Sequence, residues 1–386
     1  MRKRNYLLLS VMLLQFTVSL AGFIDGAYKY KGFMRRYSIY VPDIYGIKNI
    51  KVPLVLGLHG YGDNIDDFKT ICMSGIADTA NYICVYAEAL PWLGANGWNS
   101  GAGVGIINVN SEVDDAGFLN GLLDTVISKY QIDTARMYVF GFSFGGFMTD
   151  RLAAQNSGRF AAVANVSGLR GNFVTALPSK GMPYLKIHGT NDPTIGYDGT
   201  QTIGIFPGFG LSAENTVKFW VTQNQCNPTP IIDTMPDLVN DGLRFVRFSY
   251  SNGRDNSKVV FYKVINGLHR WYGLPSNDIS YCQTIWNFFN QHTRQSMITA
   301  LRNNAEKLQF RMYPNPSDGT VTIDFSALKE KVNSLLIYDV AGSLVKTISV
   351  KNEQQIMLNL GLPHGLYMVQ LITENGNAAT DKLVIQ

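Results

Sequence analysis

The stretch RMYVFGFSFGGFM at residues 136–148 decides the fold. Its first part, residues 136–140, is an apolar and aromatic run that reads as a buried strand. Residues 147–154 continue with the apolar spacing of a helix. Between them lies GFSFG, a G-x-S-x-G sequence that requires a strand before it and a helix after it. We therefore predict a sharp strand-to-helix turn that holds the Ser143 hydroxyl at the end of a sheet.

The same alternation of strand and helix extends over residues 22–293. Continuous apolar strands separated by helices indicate an α/β fold, with a mostly parallel sheet covered by helices on both faces. The other predicted strands are 52–58, 83–87, 160–166, 184–188 and 259–264, and the other predicted helices are 113–130, 214–223 and 280–292.

A second domain is predicted from residue 310 onward. Residues 294–309 are polar and resemble a linker, after which short segments with alternating apolar side chains replace the helical pattern. Three such segments, 321–325, 336–340 and 367–371, are separated by turn residues. Residues 310–386 are therefore predicted to form a small β-sandwich.

Composition excludes several classes of protein. The chain has 386 residues, of which 46% are hydrophobic and 16% charged, so it can fill large cores and is not a disordered protein. The formal net charge is +4, and three of the positive charges lie at Arg2, Lys3 and Arg4. The remaining cations are scattered, so we expect no nucleic-acid partner.

The first 21 residues have the pattern of a secretory signal peptide. A basic start is followed by an apolar run, and Ser19 and Ala21 fit the small positions before a cleavage site. A membrane anchor is the alternative, although the run is short for a spanning helix and polar residues interrupt it. We expect export with cleavage, and no stable membrane span elsewhere.

Four cysteines, Cys72, Cys84, Cys226 and Cys282, have no spacing typical of a metal site. An exported protein can form disulfides, and four cysteines allow three pairings. We expect Cys72–Cys84 and Cys226–Cys282, with four buried free thiols as the alternative.

A serine hydroxyl needs a base to take its proton before it can act as a nucleophile. Of the three histidines that follow Ser143 and Asp192, His292 lies at a predicted helix end and His364 in a turn of the C-terminal module, whereas His269 directly follows a strand. Asp192 is an acidic residue that itself follows a strand. The order Ser143, Asp192, His269 is that of α/β-hydrolases. We predict that Ser143 attacks an ester carbonyl, His269 transfers the proton, and Asp192 orients the imidazole.

Each member of this set also has a purely structural interpretation. Ser143 and Asp192 could be turn residues, and His269 could be a surface histidine. Other acidic residues compete with Asp192 for its role. Three of them precede Ser143 and two follow it: Asp114, Asp115, Asp124, Asp198 and Asp255.

The negative oxygen of a tetrahedral intermediate requires fixed hydrogen-bond donors. We predict the backbone N–H groups of Phe144 and Tyr61, the latter in a glycine-rich loop after the strand 52–58. His59 is expected to orient this loop. Trp98 and Trp271 are the expected substrate contacts, and the chemistry needs no metal or organic cofactor.

The chain resembles the polyhydroxybutyrate depolymerase and feruloyl esterase group of secreted α/β-hydrolases. The matching segments, which span most of residues 24–293, are VPLVLGLHGYGDN (52–64), residues 113–148, HGTNDPTIGYDG (188–199), FWVTQNQC (219–226) and GLHRWYG (267–273). The resemblance implies the triad Ser143, Asp192 and His269, and it implies that Asp114 and Asp115 help to place the surrounding loops. Leu268, Arg270 and Phe144 depart from the family pattern.

Residues 310–386 resemble the C-terminal sorting module of the type IX secretion system. The similarity lies in YPNP (313–316), LIYDVAG (336–342) and LPHGLY (362–367). It implies the type IX secretion machinery as a partner, with release outside the cell or attachment to its outer surface.

Together the two resemblances imply a secreted serine esterase that acts on polymer-linked esters. The expected substrates are feruloyl or acetyl esters of plant polysaccharide, or polyhydroxybutyrate. An amide-cleaving serine hydrolase and a non-catalytic surface binding protein on a hydrolase scaffold are the alternatives.

Overall fold

A computed structural model describes residues 22–47, 50–200, 202–203, 206–294, 310–328, 330–339, 344–351, 353–374 and 378–386. The chain divides after Arg294 into two compact units. The predicted signal peptide, residues 1–21, and the predicted linker from residue 295 onward lie outside the described residues.

The first unit alternates strands and helices along the chain. Its strands are β1 Gly22–Tyr30, β2 Phe33–Val41, β3 Val52–Leu58, β4 Ile83–Ala87, β5 Pro91–Trp92, β6 Ala95–Asn96, β7 Gly103–Val104, β8 Ile107–Asn108, β9 Ile132–Phe142, β10 Ala162–Val166, β11 Tyr184–Gly189, β12 Thr202–Ile203, β13 Phe206–Pro207, β14 Ile231–Thr234, β15 Arg244–Tyr250 and β16 Val259–Ile265. Its helices are α1 Ile65–Phe68, α2 Met73–Ala80, α3 Asp115–Lys129, α4 Phe144–Gln155, α5 Ala213–Gln223 and α6 Tyr281–Phe289, with a 3₁₀ turn at Arg254–Asn256.

Ten of these strands form one sheet in the order β1-β2-β4-β3-β9-β10-β11-β16-β15-β14. The strands from β4 to β16 in this order pair in parallel, whereas β1, β2, β14 and β15 pair antiparallel at the two edges. The predicted α/β fold with a mostly parallel sheet is therefore confirmed. The antiparallel edge strands were not part of the prediction.

Helices cover both faces of this sheet because its central strands are apolar on both sides. Every residue of β3 is buried, and successive side chains of a strand point to opposite faces. Leu54 and Leu56 belong to one core cluster, which includes residues of α3, α4 and α5, while Val55 belongs to the other, which includes residues of α2 and α6. The carboxyl ends of the parallel strands consequently open at one edge of the sheet.

The disulfide pairing differs from the expectation. Cys72, at the start of α2, is bonded to Cys282 in α6, and the two Cα atoms are 5.9 Å apart. Cys84 and Cys226 are buried free thiols. The expected pairs Cys72–Cys84 and Cys226–Cys282 are therefore wrong, because α2 and α6 pack on the same face of the sheet, which sequence proximity does not reveal.

The second unit consists of short antiparallel strands. Its strands are β17 Arg311–Tyr313, β18 Thr320–Asp324, β19 Val332–Tyr338, β20 Leu344–Ser349, β21 Gln355–Asn359, β22 Gly365–Thr373 and β23 Ala378–Ile385. They form two sheets, β17-β18-β21 and β20-β19-β22-β23, and both sheets contribute side chains to a single core that includes Val321, Ile323, Leu335 and Val369. Within the described residues of the whole chain, no helix is long and apolar enough to cross a membrane.

Reduction of the Cys72–Cys282 disulfide should destabilise the first unit. The bond closes a loop of 210 residues, and the chain-entropy model assigns such a loop about 5 kcal/mol of unfolding free energy. Denaturant unfolding with and without reductant measures the change. The variant Cys72→Ser/Cys282→Ser should lose the same free energy and become insensitive to reductant, whereas Cys226→Ala should respond to reductant as the native protein does. A peptide map that shows another pairing would contradict this prediction.

Candidate active site

Ser143 lies in a strained turn between β9 and α4. Its φ of 56° and ψ of −122° are unusual for a residue with a side chain, and strain of this kind clusters at functional sites. The turn is held by the backbone, since Ser143 N–H donates to the Val166 carbonyl at 2.9 Å and Gly146 N–H donates to the Ser143 carbonyl at 2.8 Å. The side chain of Ser143 points to no hydrogen-bond partner among the described residues.

The two glycines of the G-x-S-x-G sequence are required by close packing of the backbone. A Cβ atom on Gly141 would overlap the carbonyl of Gly145, and a Cβ atom on Gly145 would overlap the carbonyl of Leu58, the last residue of β3. The turn can therefore close against the neighbouring parallel strand only when both positions lack a side chain.

Asp192 and His269 form a hydrogen bond at the same edge of the sheet. His269 Nδ1 donates to Asp192 Oδ2 at 2.7 Å, and the Asp192 side chain is completely buried while His269 is 14% exposed. The other carboxylate oxygen, Oδ1, accepts from the backbone N–H groups of Thr194 and Ile195 at 2.9 and 2.8 Å. One oxygen of the carboxylate, Oδ1, is thus fixed by the backbone of the following turn, and the other, Oδ2, holds the imidazole.

Parallel pairing of β11 and β16 brings these two residues together. Asp192 follows β11, and His269 follows β16, its parallel neighbour. Backbone hydrogen bonds join the loop after β11 to β16 and to the loop that follows it: Thr190 N–H donates to the Val264 carbonyl, and Asn191 N–H donates to the Gly267 carbonyl. Asp192 and His269 are 77 residues apart in the chain, and this pairing is what makes them neighbours.

The His269 ring also packs beside the turn that carries Ser143. It lies 4.8 Å from the ring of Phe142, the residue before Ser143. The imidazole is therefore held by Asp192 through one nitrogen and supported by Phe142 on its face. Its Nε2 atom has no hydrogen-bond partner among the described residues, which leaves it available for a proton from a neighbouring hydroxyl.

The loop after β3 runs along the other side of Ser143. A Cβ atom on Gly60 would lie 3.3 Å from Ser143 Cβ, so the backbone of this loop passes close to Ser143. Neither Tyr61 N–H nor Phe144 N–H has an acceptor among the described residues, and the two side chains pack together with ring centroids 5.5 Å apart. Both predicted oxyanion donors are therefore free to bind an oxygen.

His59 and Trp98 support this loop from inside the protein. His59 Nδ1 donates to the Gly60 carbonyl at 2.7 Å and its Nε2 accepts from Ala89 N–H at 3.0 Å, which fixes a neutral ring, and burial lowers its pKa. Trp98 Nε1 donates to the His59 carbonyl at 2.9 Å, and the Trp98 side chain has no exposed surface. The expectation that Trp98 contacts substrate does not fit this position, because the indole belongs to the core.

Comparison with known families is consistent with this geometry. Residues 48–203 match the model of the phospholipase/carboxylesterase family, and residues 311–386 match the model of the secretion system C-terminal sorting domain. The chain therefore joins a carboxylesterase domain to a type IX sorting domain.

Curated relatives resemble the carboxylesterase domain over part of their length. A feruloyl esterase C of Emericella nidulans is 29% identical over 51% of this chain and 64% of its own length. A bifunctional acetylxylan esterase/xylanase of Neocallimastix patriciarum is 25% identical over 65% of this chain and 33% of its own length. The chain spans less than two thirds of the length of these relatives. An acetyl xylan esterase structure from Aspergillus awamori is 16% identical, covers 66% of this chain and 94% of its own, and has a TM-score of 0.44.

In the carboxylesterase domain, the acidic residues that compete with Asp192 are engaged elsewhere. Asp115 is paired with Arg35 in the core and accepts from Asn99 N–H at 2.6 Å, and burial raises its pKa. The other competitors pair with groups other than a histidine: Asp114 with Lys31, Asp124 with Arg159, Asp198 with Thr200, and Asp255 with Gly181. Asp192 is thus the acidic residue bonded to His269.

Trp271 lies at the predicted site, whereas two other residues there were not predicted. Trp271 is half-buried, its ring is 6.1 Å from that of Phe142, and its Nε1–H has no partner among the described residues. Lys186 and His188 lie fully buried behind Asp192. A lysine inside an apolar strand was the sequence signal that could have revealed them.

The variant Gly145→Ala should destabilise the carboxylesterase domain by about 1–3 kcal/mol, because the new methyl group overlaps the Leu58 carbonyl. Gly75→Ala is the matched control, since no heavy atom lies within 4 Å of its Cβ position in α2. This control should be neutral or slightly stabilising. Denaturant unfolding of both variants measures the difference, and equal stability would show that the turn at Ser143 tolerates a side chain.

Proposed function

We propose that residues 22–293 form a serine carboxylic ester hydrolase that uses Ser143 as nucleophile, His269 as base and Asp192 as orienting acid. The observation that carries this proposal is the 2.7 Å hydrogen bond between His269 and the buried Asp192, beside the strained turn of Ser143. The carboxylesterase family match supports the same activity.

The reaction begins when Ser143 Oγ attacks the ester carbonyl carbon and its proton passes to His269 Nε2. Asp192 accepts a hydrogen bond from Nδ1, so it keeps the ring in the tautomer whose Nε2 is unprotonated and stabilises the imidazolium that forms. The carbonyl oxygen becomes an oxyanion, and the N–H groups of Phe144 and Tyr61 are the donors proposed to stabilise it.

The tetrahedral intermediate collapses when His269 gives its proton to the leaving alcohol oxygen, which leaves the acyl group on Ser143. A water molecule then attacks this acyl-enzyme while His269 takes one of its protons. The second tetrahedral intermediate releases a carboxylic acid and restores the Ser143 hydroxyl. Both protons therefore pass through His269 Nε2: the serine proton goes to the leaving alcohol, and the proton from water restores the Ser143 hydroxyl.

Feruloyl or acetyl esters of plant polysaccharide are the proposed substrates, with polyhydroxybutyrate as the second choice. Half-buried aromatic rings favour a hydroxycinnamoyl group, because Tyr61 and Trp92 lie with centroids 6.2 Å apart beside the loop that carries the proposed oxyanion donor. The Trp271 ring lies 6.1 Å from that of Phe142, which also packs against the His269 ring. The names of two curated relatives, a feruloyl esterase and an acetylxylan esterase, point in the same direction.

The proposed organisation is a signal peptide at residues 1–21, a catalytic domain at 22–293, a linker at 294–309 and a sorting domain at 310–386. The sorting domain indicates secretion or attachment at the cell surface. We propose that the type IX machinery reads this domain and that it takes no part in catalysis. An extracellular polymer is a fitting substrate for an enzyme delivered there.

Removal of the proposed acid should lower turnover far more than removal of a nearby carboxylate. Asp192→Asn should reduce kcat by about 10³–10⁴-fold, because the amide no longer holds the neutral imidazole in the required tautomer. Asp198→Asn, in the same loop region, should keep nearly full activity, since Asp198 contacts Thr200. Initial rates with p-nitrophenyl acetate measure both, with thermal unfolding as the control for folding.

Ser143→Ala should abolish labelling by a fluorophosphonate probe and reduce ester turnover to background. Undiminished turnover in this variant would reject the mechanism. Hydrolysis of peptide substrates in preference to esters would favour an amide-cleaving hydrolase, and a native protein that neither reacts with the probe nor hydrolyses esters would favour a binding protein.

Comparison of substrates with different acyl groups should show which acyl group the site recognises. If aromatic packing recognises the acyl group, Trp92→Ala should raise KM for methyl ferulate about tenfold and leave KM for p-nitrophenyl acetate within about twofold. Release of ferulate, acetate or hydroxybutyrate from feruloylated xylan, acetylated xylan and polyhydroxybutyrate then identifies the polymer. An equal change in both values of KM would contradict recognition through this ring.

A further inference from the structure

Lys186 is a charged residue in the interior of β11, and no part of it is exposed. Its Nζ atom has three neighbours that can accept a hydrogen bond: His188 Nδ1 at 2.8 Å, the Ile187 carbonyl at 3.3 Å and Asn165 Oδ1 at 3.4 Å. An ammonium group has three N–H donors and no acceptor, so these three partners match its capacity. Burying a charge without partners is costly. A buried lysine that is supplied with three acceptors is therefore expected to have a specific role.

His188 has a single tautomer in this arrangement. Its Nε2 atom lies 2.8 Å from the Ile195 carbonyl, which can only accept, so Nε2 carries the proton. Its Nδ1 atom therefore accepts from Lys186. Burial and the neighbouring Lys186 hold the pKa of His188 well below its usual range, in agreement with a neutral ring. Because both nitrogens are occupied and the side chain is fully buried, His188 cannot replace His269 as the base.

The bond from His188 reaches the turn that carries Asp192. Ile195 accepts from His188 through its carbonyl and donates to Asp192 Oδ1 through its N–H. The His188 ring is also close to the carboxylate, with Nε2 3.7 Å from Asp192 Oδ2, which is too long for a hydrogen bond. His188 thus fixes the far end of the 192–195 turn, and the near end of that turn fixes the carboxylate.

The same network continues to the helix that follows Ser143. Asn165 donates through Nδ2 to Tyr184 Oη at 2.9 Å, and Tyr184 Oη donates to Asp150 Oδ2 at 2.9 Å. Asp150 lies in α4 and forms a buried ion pair with Arg170 at 2.9 Å. Hydrogen bonds between buried groups therefore connect the nucleophile helix, through β10 and β11, with the turn of Asp192.

We propose that Lys186 and His188 are positioning residues of the triad, in which Lys186 fixes the tautomer of His188 and His188 holds the 192–195 turn so that Asp192 stays bonded to His269. This inference rests on the proposed function. Burial lowers the pKa of Lys186 well below its usual range, whereas the carboxylates of Asp192 and Asp150 raise it, and the three acceptors around Nζ match the ammonium form. In that form Lys186 places a buried positive charge one neutral imidazole away from Asp192, and this charge offsets the negative charge of the carboxylate.

The charge on Lys186 has a consequence for the pH profile. The ionisable groups around the His188 ring are Asp192 from the following turn, Tyr197 with its ring centroid 5.9 Å away, Lys186 from β11, and His269 from the loop after β16. Asp150 of α4 acts on Lys186. A positive charge at Lys186 disfavours a second positive charge on His269. The acid limb of kcat/KM, which requires a neutral imidazole, should therefore move to higher pH when this charge is removed.

The test compares Lys186→Met with the native protein over a range of pH. We expect kcat to fall about tenfold with KM within about twofold, and the acid limb of kcat/KM to rise by about 0.5 pH unit. Lys258→Met is the matched control, because Lys258 precedes β16 at the end of the strand away from His269, and its Nζ atom bonds to Gln291. The pH profile of this variant should match that of the native protein. An unshifted acid limb with kcat within twofold in a folded Lys186→Met protein would overturn the proposal.

A second pair of variants keeps the proposal testable if Lys186→Met does not fold. In His188→Gln the amide can still donate to the Ile195 carbonyl, whereas His188→Leu cannot. We expect His188→Gln to retain most of the kcat that His188→Leu loses, and equal loss in both would overturn the proposal. Labelling of native Ser143 by a fluorophosphonate is measured in parallel, because its failure rejects the proposed function itself, whereas normal labelling with unaffected Lys186 and His188 variants rejects only the positioning role.

Discussion

Parallel pairing of the central strands is the constraint on which the site depends. Strands β3, β9, β11 and β16 all end at the same edge of the sheet, and each is followed by a loop or turn that carries one part of the proposed site. The loop after β3 contributes Tyr61, the turn after β9 contributes Ser143, and the loops after β11 and β16 contribute Asp192 and His269. Ligands of open α/β sheets bind at this edge in general, because helices cover both faces and leave the strand ends accessible.

The groups around Ser143 are held before any substrate arrives. Backbone bonds and close contacts at Gly141 and Gly145 fix the turn of Ser143, while the Asp192 carboxylate is fixed by two backbone N–H groups. Preorganised donors lower an activation barrier because they need little reorganisation when charge develops. In the proposed arrangement, the buried Lys186 and His188 hold the turn of Asp192 from within the sheet.

The two units divide the work of the protein in the proposed function. The first unit contains the site and the Cys72–Cys282 disulfide, a bond that persists in oxidising compartments. The second unit matches a sorting domain, and its two sheets bury alternating apolar side chains in a core of their own. Chemistry and delivery can therefore be tested on separate features of the chain.

The local sequence pattern by itself predicts many of the buried strands and the turn at Ser143. The apolar runs at β3, β4 and β11 predicted buried strands. GFSFG predicted the strained turn at Ser143, because close backbone packing admits only glycine two residues before and two residues after the serine. The antiparallel edge strands β1, β2, β14 and β15 were missed, since their mixed polar and apolar residues give no continuous run.

The order Ser143, Asp192, His269 came from the sequence, whereas the tertiary structure decided which groups actually meet. In the folded chain Cys72 is bonded to Cys282, 210 residues away, and Trp98 lies in the core. Lys186 and His188 are buried behind Asp192 and bonded to each other. These contacts join residues on different strands and helices, and their energy depends on distance and burial, which one-dimensional spacing does not contain. Sequence therefore determined the kinds of groups available, and packing of the sheet determined their partners.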